Sequence, residues 1–126
     1  MRVSVGVDIV EIDRVRRAVE RHGDRFVARI YTPEEVALYR NRLPELAARF
    51  AAKEAVSKAL GVGLNHISAL GIGWQEVEVL SDPLGKPVVH LSGRAKELAK
   101  EQGLRDWAIS LSHERDHAVA FVVALG

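Results

Sequence analysis

Residues 44–63 read PELAARFAAKEAVSKALGVG, and the change of period at their end decides the fold. Pro44 can open a helix, because a proline's missing N–H is one of those a first turn leaves unbonded anyway. Nothing interrupts the helix until about Leu60. Gly61-Val62-Gly63 then stops it, glycine being the residue that accepts the left-handed conformation past a helix end. Beyond the glycines the period becomes two. Trp74–Leu80 reads as a strand, Asp82-Pro83-Leu84-Gly85 as a turn, and Pro87–Leu91 as the returning strand. Ser92 is placed to cap a short helix with Ala95, Leu98 and Ala99 inward, closed by Gly103. Trp107–His113 and His117–Leu125 form a terminal hairpin around Glu114-Arg115-Asp116.

Upstream, residues 2–10 alternate Val3, Val5, Val7 and Ile9 with Ser4, Gly6 and Asp8, which predicts a half-buried strand. Asp13 is placed to cap a helix with the apolar stripe Val15, Ala18, Val19 and His22, ending at Gly23. Thr32-Pro33-Glu34-Glu35 has the capping threonine, early proline and glutamate of a helix start. The order β-ααα-ββ-α-ββ with short hairpins predicts an α+β fold, a largely antiparallel sheet packed with helices. The 126 residues show no repeat and no linker, so residues 1–126 are expected to form a single domain.

Composition removes several classes of function. Hydrophobic residues make up 48% and charged residues 28%, which excludes disorder of the whole chain. The absence of cysteine excludes disulfides, thiolate metal sites and a cysteine nucleophile. The longest apolar run, Ala118–Leu125, is far short of the roughly 18 residues of a membrane span. Asp8 and Glu11 interrupt the N-terminal apolar stretch, so no signal peptide is expected and a cytoplasmic location follows. A net charge of +1 points to no partner, but its distribution does. Arg14, Arg16, Arg17, Arg21, Arg25 and Arg29 crowd into one stretch, and guanidinium groups suit carboxylates and phosphates. A solvated helix face is the ordinary alternative.

Two places carry chemistry. Asp8 lies late in an apolar strand, where a carboxylate is costly unless paired, solvated or bound to a cation. On the long helix, Ala47, Ala51, Glu54 and Lys58 share one stripe beside Leu46 and Phe50. An ordinary i,i+4 ion pair does not explain why charged residues continue a row of small alanines that should pack inward. The stripe suits a hard cation held by Glu54 and an anion met by Lys58, in the manner of Mg²⁺ with one or two protein carboxylates. His113 and His117 share a strand face without a third ligand, so a zinc site is not expected. Neither a mononucleotide loop nor a nucleophile elbow is present.

Gly6-Val7-Asp8-Ile9-Val10 and Phe50-Ala51-Ala52-Lys53-Glu54-Ala55-Val56-Ser57-Lys58-Ala59 closely resemble the two signature blocks of the 4′-phosphopantetheinyl transferases. Arg25-Phe26, Tyr31-Thr32-Pro33-Glu34-Glu35, Gly85-Lys86-Pro87 and Ser110-Leu111-Ser112-His113 look like its holo-[acyl-carrier-protein] synthase branch. The resemblance spans essentially the whole chain. One departure is Val62, where the family would have a hydroxyl residue between the two glycines; backbone N–H groups remain available there for phosphate.

The resemblance implies transfer of 4′-phosphopantetheine from coenzyme A to a serine of apo-acyl carrier protein, releasing adenosine 3′,5′-bisphosphate and serving fatty acid biosynthesis. It implies Mg²⁺ held by Asp8 and Glu54, and Lys58 neutralising phosphate charge and assisting proton transfer to the leaving group. Glu54 or a cation-bound water is the base for the serine. Arg49, Lys58 and His113 would meet coenzyme A phosphates, and Arg14, Arg17 and Arg21 the acidic helix of the carrier protein. A homotrimer is implied too, with sites at subunit boundaries. An independent reason for association is the strand 118–125, with Ala118, Ala120, Val122 and Ala124 on one face and Val119, Phe121, Val123 and Leu125 on the other, which needs cover on both sides. The competing reading, a non-catalytic α+β module binding nucleic acid through the arginine helix, leaves Asp8, Glu54 and Lys58 unexplained and lacks a strong positive charge. Neither nucleic acid nor membrane is an expected partner.

Overall fold

The protein is described by a computed structural model covering residues 1–66 and 69–126. Strand β1 (Val3–Glu11) leads into four helices, α1 (Ile12–His22), α2 (Asp24–Ile30), α3 (Pro33–Tyr39) and α4 (Leu43–Leu60). A single 3₁₀ turn (Trp74–Glu76) precedes β2 (Val77–Ser81) and β3 (Pro87–Leu91). Helix α5 (Gly93–Glu101) and the hairpin β4 (Asp106–His113) and β5 (His117–Leu125) complete the chain. The strands form two antiparallel sheets, one of order β1-β5-β4 and one of β2-β3. The expected α+β architecture is present, with the sheet divided in two.

Helix α4 is the axis of the core, with 13 of its 18 residues buried. A helix covered nearly all round must be apolar nearly all round, and its alanines let neighbours come close. Gly6 shows how close: a Cβ there would lie 1.9 Å from the Ala55 carbonyl oxygen. The Ser4 hydroxyl donates to the Ala59 carbonyl on the same seam. Thus β1 turns Ser4, Gly6, Asp8 and Val10 toward α4, and its valine face outward. Val3, Val5, Val7 and Ile9 are 52–65% exposed. Register puts them beside Leu125, Val123, Phe121 and Val119 of β5, so the sheet's outer face is an uncovered apolar surface. The inner residues of β5, Ala118 to Ala124 in steps of two, are fully buried.

Local departures from the sequence reading have local causes. Helix α2 was not expected; seven residues are too few to be helical alone, and the burial of Val27 and Ile30 supplies what propensity does not. Helix α1 begins at Ile12 after Glu11, and Asp13, expected to cap it, pairs instead with Arg16 and Arg17 inside it. Ser92 makes no side-chain cap on α5. Glu76 replaces it from the 3₁₀ turn, accepting the Arg94 and Ala95 N–H groups at 3.2 Å. That role, with the Gly73 N–H on the same carboxylate, ties residues 74–76 into the turn and shortens β2. The capping box of Thr32 and Glu35 is present as expected.

Candidate functional site

Asp8 and Lys58, 50 residues apart in sequence, meet where β1 passes the C-terminal end of α4. The Lys58 ammonium donates to Asp8 Oδ1 at 2.9 Å and to the Val7 carbonyl at 3.0 Å. Glu54 stands one helical turn before Lys58, half-buried. Burial raises its pKa above the usual carboxylate range, and the negative charge of Asp8 raises it further; His66, Lys58 and Arg14 act in the opposite sense. Two carboxylates that repel one another across a partly dehydrated site suit a divalent cation, which would relieve both. Among the described residues no third carboxylate or histidine joins them as a cluster of possible ligands. Such a sparse set fits Mg²⁺, which keeps water and substrate phosphate in its shell, better than an ion needing an all-protein cage.

The arginine face borders this pair. Arg14, Arg17 and Arg21 recur at i, i+3 and i+7 on α1 and line one shallow cavity of about 250 Å³ with Ala18 and His22. The Arg14 guanidinium lies 5.8 Å from the centre of the Phe50 ring and near enough to Glu54 to favour its ionised form. Arg16, on the other side, is paired with Asp13 and Glu20.

Arg49 and His113 lie elsewhere. They line a second cavity of about 190 Å³ with Glu45, Ser81, Gly85 and Pro87. Arg49 is only 1% exposed and well occupied: Nε donates to the Val79 carbonyl at 2.8 Å, Nη1 to Glu45 at 2.8 Å and Nη2 to the Ser81 hydroxyl at 3.3 Å. Its guanidinium also sits 3.6 Å above the Tyr39 ring. Asp8 and His113 share the inner face of the sheet with β5 between their strands, which puts those backbones about 9–10 Å apart. Helix α4 runs over that interval. Within one chain the expected phosphate-binding residues therefore stand on opposite flanks of α4.

Three details differ from expectation. The Gly61, Val62 and Gly63 N–H groups all donate back to the Ser57 or Lys58 carbonyls, so they close α4 and do not point at a ligand. His113 and His117 lie on opposite faces of the sheet: His113 pairs with Ala118 on the inner face, whereas His117 pairs with Glu11 on the outer face and contacts Glu114. The third is Lys53, which sequence reasoning passed over. It is fully buried, donating to Glu35 Oε1 at 2.8 Å and to the Trp74 and Val77 carbonyls. Glu35 in turn accepts the Thr32 and Val79 N–H groups. The signal was available: Leu46, Phe50, Lys53, Ser57 and Leu60 form one stripe at helical spacing, and a lysine in its middle must find a buried carboxylate.

Two carboxylates and a lysine beside an arginine-faced helix, on an α+β scaffold, have the chemistry to meet a cation and a phosphate-bearing substrate. The chain belongs to the 4′-phosphopantetheinyl transferase superfamily, whose family model matches residues 4–122, and within it to the holo-[acyl-carrier-protein] synthase branch. It is 50% identical over 123 residues to the holo-[acyl-carrier-protein] synthase of Herpetosiphon aurantiacus, covering 96% of this chain and 97% of that one. The fold matches the crystal structure of Helicobacter pylori holo-[acyl-carrier-protein] synthase in complex with coenzyme A with a TM-score of 0.84 and 31% identity, over 96% of this chain and 99% of that chain. The enzyme from Neisseria meningitidis also gives 0.84, with 36% identity over 98% of both chains. The resemblance read from the sequence blocks is borne out along nearly the whole chain.

Proposed function

We propose that this chain, acting over residues 1–126 as one unit, transfers 4′-phosphopantetheine from coenzyme A to a serine of apo-acyl carrier protein. The products are the holo-carrier protein and adenosine 3′,5′-bisphosphate, in the service of fatty acid biosynthesis in the cytoplasm. The convergence of Asp8, Glu54 and Lys58 carries the reading. Asp8 and Glu54 would hold Mg²⁺, which when bound supplies positive charge to the pyrophosphate oxygens as the bond to the leaving group breaks. Lys58 has three N–H donors; Asp8 and the Val7 carbonyl take two, which leaves one for a phosphate oxygen. Glu54, or a water bound to the cation beside it, would accept the serine proton. Among the described residues no helix is long and apolar enough to cross a membrane. Incubation with coenzyme A and apo-carrier protein should add one phosphopantetheine mass to the carrier. Chelation should stop the reaction and Mg²⁺ restore it. No mass gain under these conditions would reject the assignment.

Arg14, Arg17 and Arg21 form the landing surface for the acidic carrier protein. Arg14→Glu combined with Arg21→Glu should raise the apparent KM for carrier protein by about tenfold or more, with little change in the KM for coenzyme A. Raising the salt concentration should mimic the substitution in the wild-type protein. Equal effects on both substrates would return these arginines to the role of a solvated face.

A homotrimer with sites at subunit boundaries completes the reading. Its support is the uncovered valine face of β1 and β5, and the separation of Arg49 and His113 from Asp8 and Glu54 on one chain. A second copy could bring its Arg49–His113 cavity to the first copy's carboxylates, where one coenzyme A would reach both. Light scattering at micromolar concentration should give three times the chain mass. Val5→Lys with Val7→Lys should give monomers that fold but have lost transfer; fully active monomers would sink the shared site.

A further inference from the structure

A cavity of about 650 Å³ lies away from this chemistry. It lies along the seam where the edge strands β3 and β4 face one another without joining their sheets, closed at one end by α5. Its floor is apolar, made of Val89, Leu91, Ala99, Leu104 and Trp107. Its rim is cationic, with Lys96, Lys100 and Arg105 beside His90 and no acidic side chain in the lining. Among the described residues none of these three cations has a salt bridge, so each is available to an anion.

The charges of α5 are also sorted. Lys96 and Lys100 stand at i,i+4 on the cavity side, while Glu97 and Glu101 form a neighbouring stripe outside the lining. Glu97 stands three residues from both Arg94 and Lys100, so the helix has its opposite-charge neighbours while the cavity side stays cationic. Sorted cations over an apolar floor complement a ligand with an aliphatic body and an anionic head. The volume falls within the range of small-molecule sites, roughly 300–1,000 Å³.

We infer that this groove binds a medium-chain fatty carboxylate, its tail along the β3–β4 seam and its head among Lys96, Lys100 and Arg105. The head is a monoanion on physical grounds. The second half of α5 and its end, from Lys96 to Gly103, line the groove, so the helix contributes its negative pole, which opposes a phosphate dianion more than a carboxylate. Among the described residues of the lining no helix start offers its amides to offset that, as phosphate sites commonly have.

Calorimetric titration of the full-length protein with decanoate, below its micelle-forming concentration, should show saturable binding of one molecule per chain. Shortening the tail to octanoate should weaken binding by several-fold up to about tenfold, because two methylene groups leave the floor. Lys96→Glu combined with Lys100→Glu, both on the surface, should weaken decanoate binding at least about tenfold while leaving transferase activity intact. Excess coenzyme A should not displace the ligand. Failure of decanoate to saturate, equal binding of decanol, tighter binding of decyl phosphate, displacement by coenzyme A, or an unchanged affinity in the double variant would each overturn the inference.

Discussion

Glu54→Gln should lower transfer to carrier protein by at least about a hundredfold, since even residues that merely orient a metal ligand cost 10–100-fold when changed. It should do so without harming the fold. The native Glu54 carboxyl has a pKa above its unfolded value, so in the absence of a cation its ionised form costs the folded state stability at neutral pH. The cost declines as the pH falls from the raised pKa to the ordinary carboxylate value, below which it is gone, and glutamine removes it at every pH. The cation-free variant should therefore melt at or above the wild-type temperature at pH 7, and the gap should close on acidification. Mg²⁺ should stabilise the wild type and leave Glu54→Gln unmoved, a readout that does not depend on turnover. A variant that melts well below wild type, or that keeps wild-type activity, would show that Glu54 is structural. Asp8→Asn should share the loss of activity, with the Lys58 contact weakened as well.

The second large effect concerns stability. Lys53→Met should destabilise the protein by about 3–5 kcal/mol, because it leaves the Glu35 carboxylate buried without its counter-charge. For a chain of this size that is a fall in melting temperature on the order of 10–20 °C. Burial lowers the pKa of Lys53, and the pairing with Glu35 opposes that shift, so the lysine depends on its partner for its charge. Lys53→Met combined with Glu35→Gln should recover part of the loss, since no unpaired ion then remains inside. A single variant melting within about 2 °C of wild type would mean that the pair contributes little. The pair also joins α3 and α4 to β2, so a partly unfolded Lys53→Met protein should lose activity by displacing the neighbouring Glu54.

The neighbours Lys53 and Glu54 illustrate how far a sequence can be read. Glu54 was legible because it ends a stripe of small residues, breaks an inward-facing pattern and stands in a signature block with Lys58. Lys53 lies in the same block, but its role depends on a carboxylate 18 residues upstream whose only visible task was to close a capping box. Helix starts and stops were likewise legible where one side chain or one glycine decides them, as at Thr32 and Gly61. They were misread at Ser92 and Asp13, where the decisive partners were Glu76 from another element and two arginines within the helix itself.

The sequence by itself determined the order of elements, the central helix and its glycine stop, the two hairpins, and the approach of Asp8 to the Glu54–Lys58 turn. These follow from periodicity, from turn and cap chemistry, and from blocks whose residues act together. Only the tertiary structure decided which face of β1 turns inward. Alternation marks two faces, and the valine face is the more hydrophobic, yet the side with Gly6 is the one that α4 and its alanines can approach within contact, and the valines face out. The same packing put Arg49 and His113 on the far flank of α4 from Asp8. Side-chain pattern records which residues avoid water, whereas what covers them, and on which side of a helix a distant partner arrives, is fixed by contacts between elements far apart in the chain.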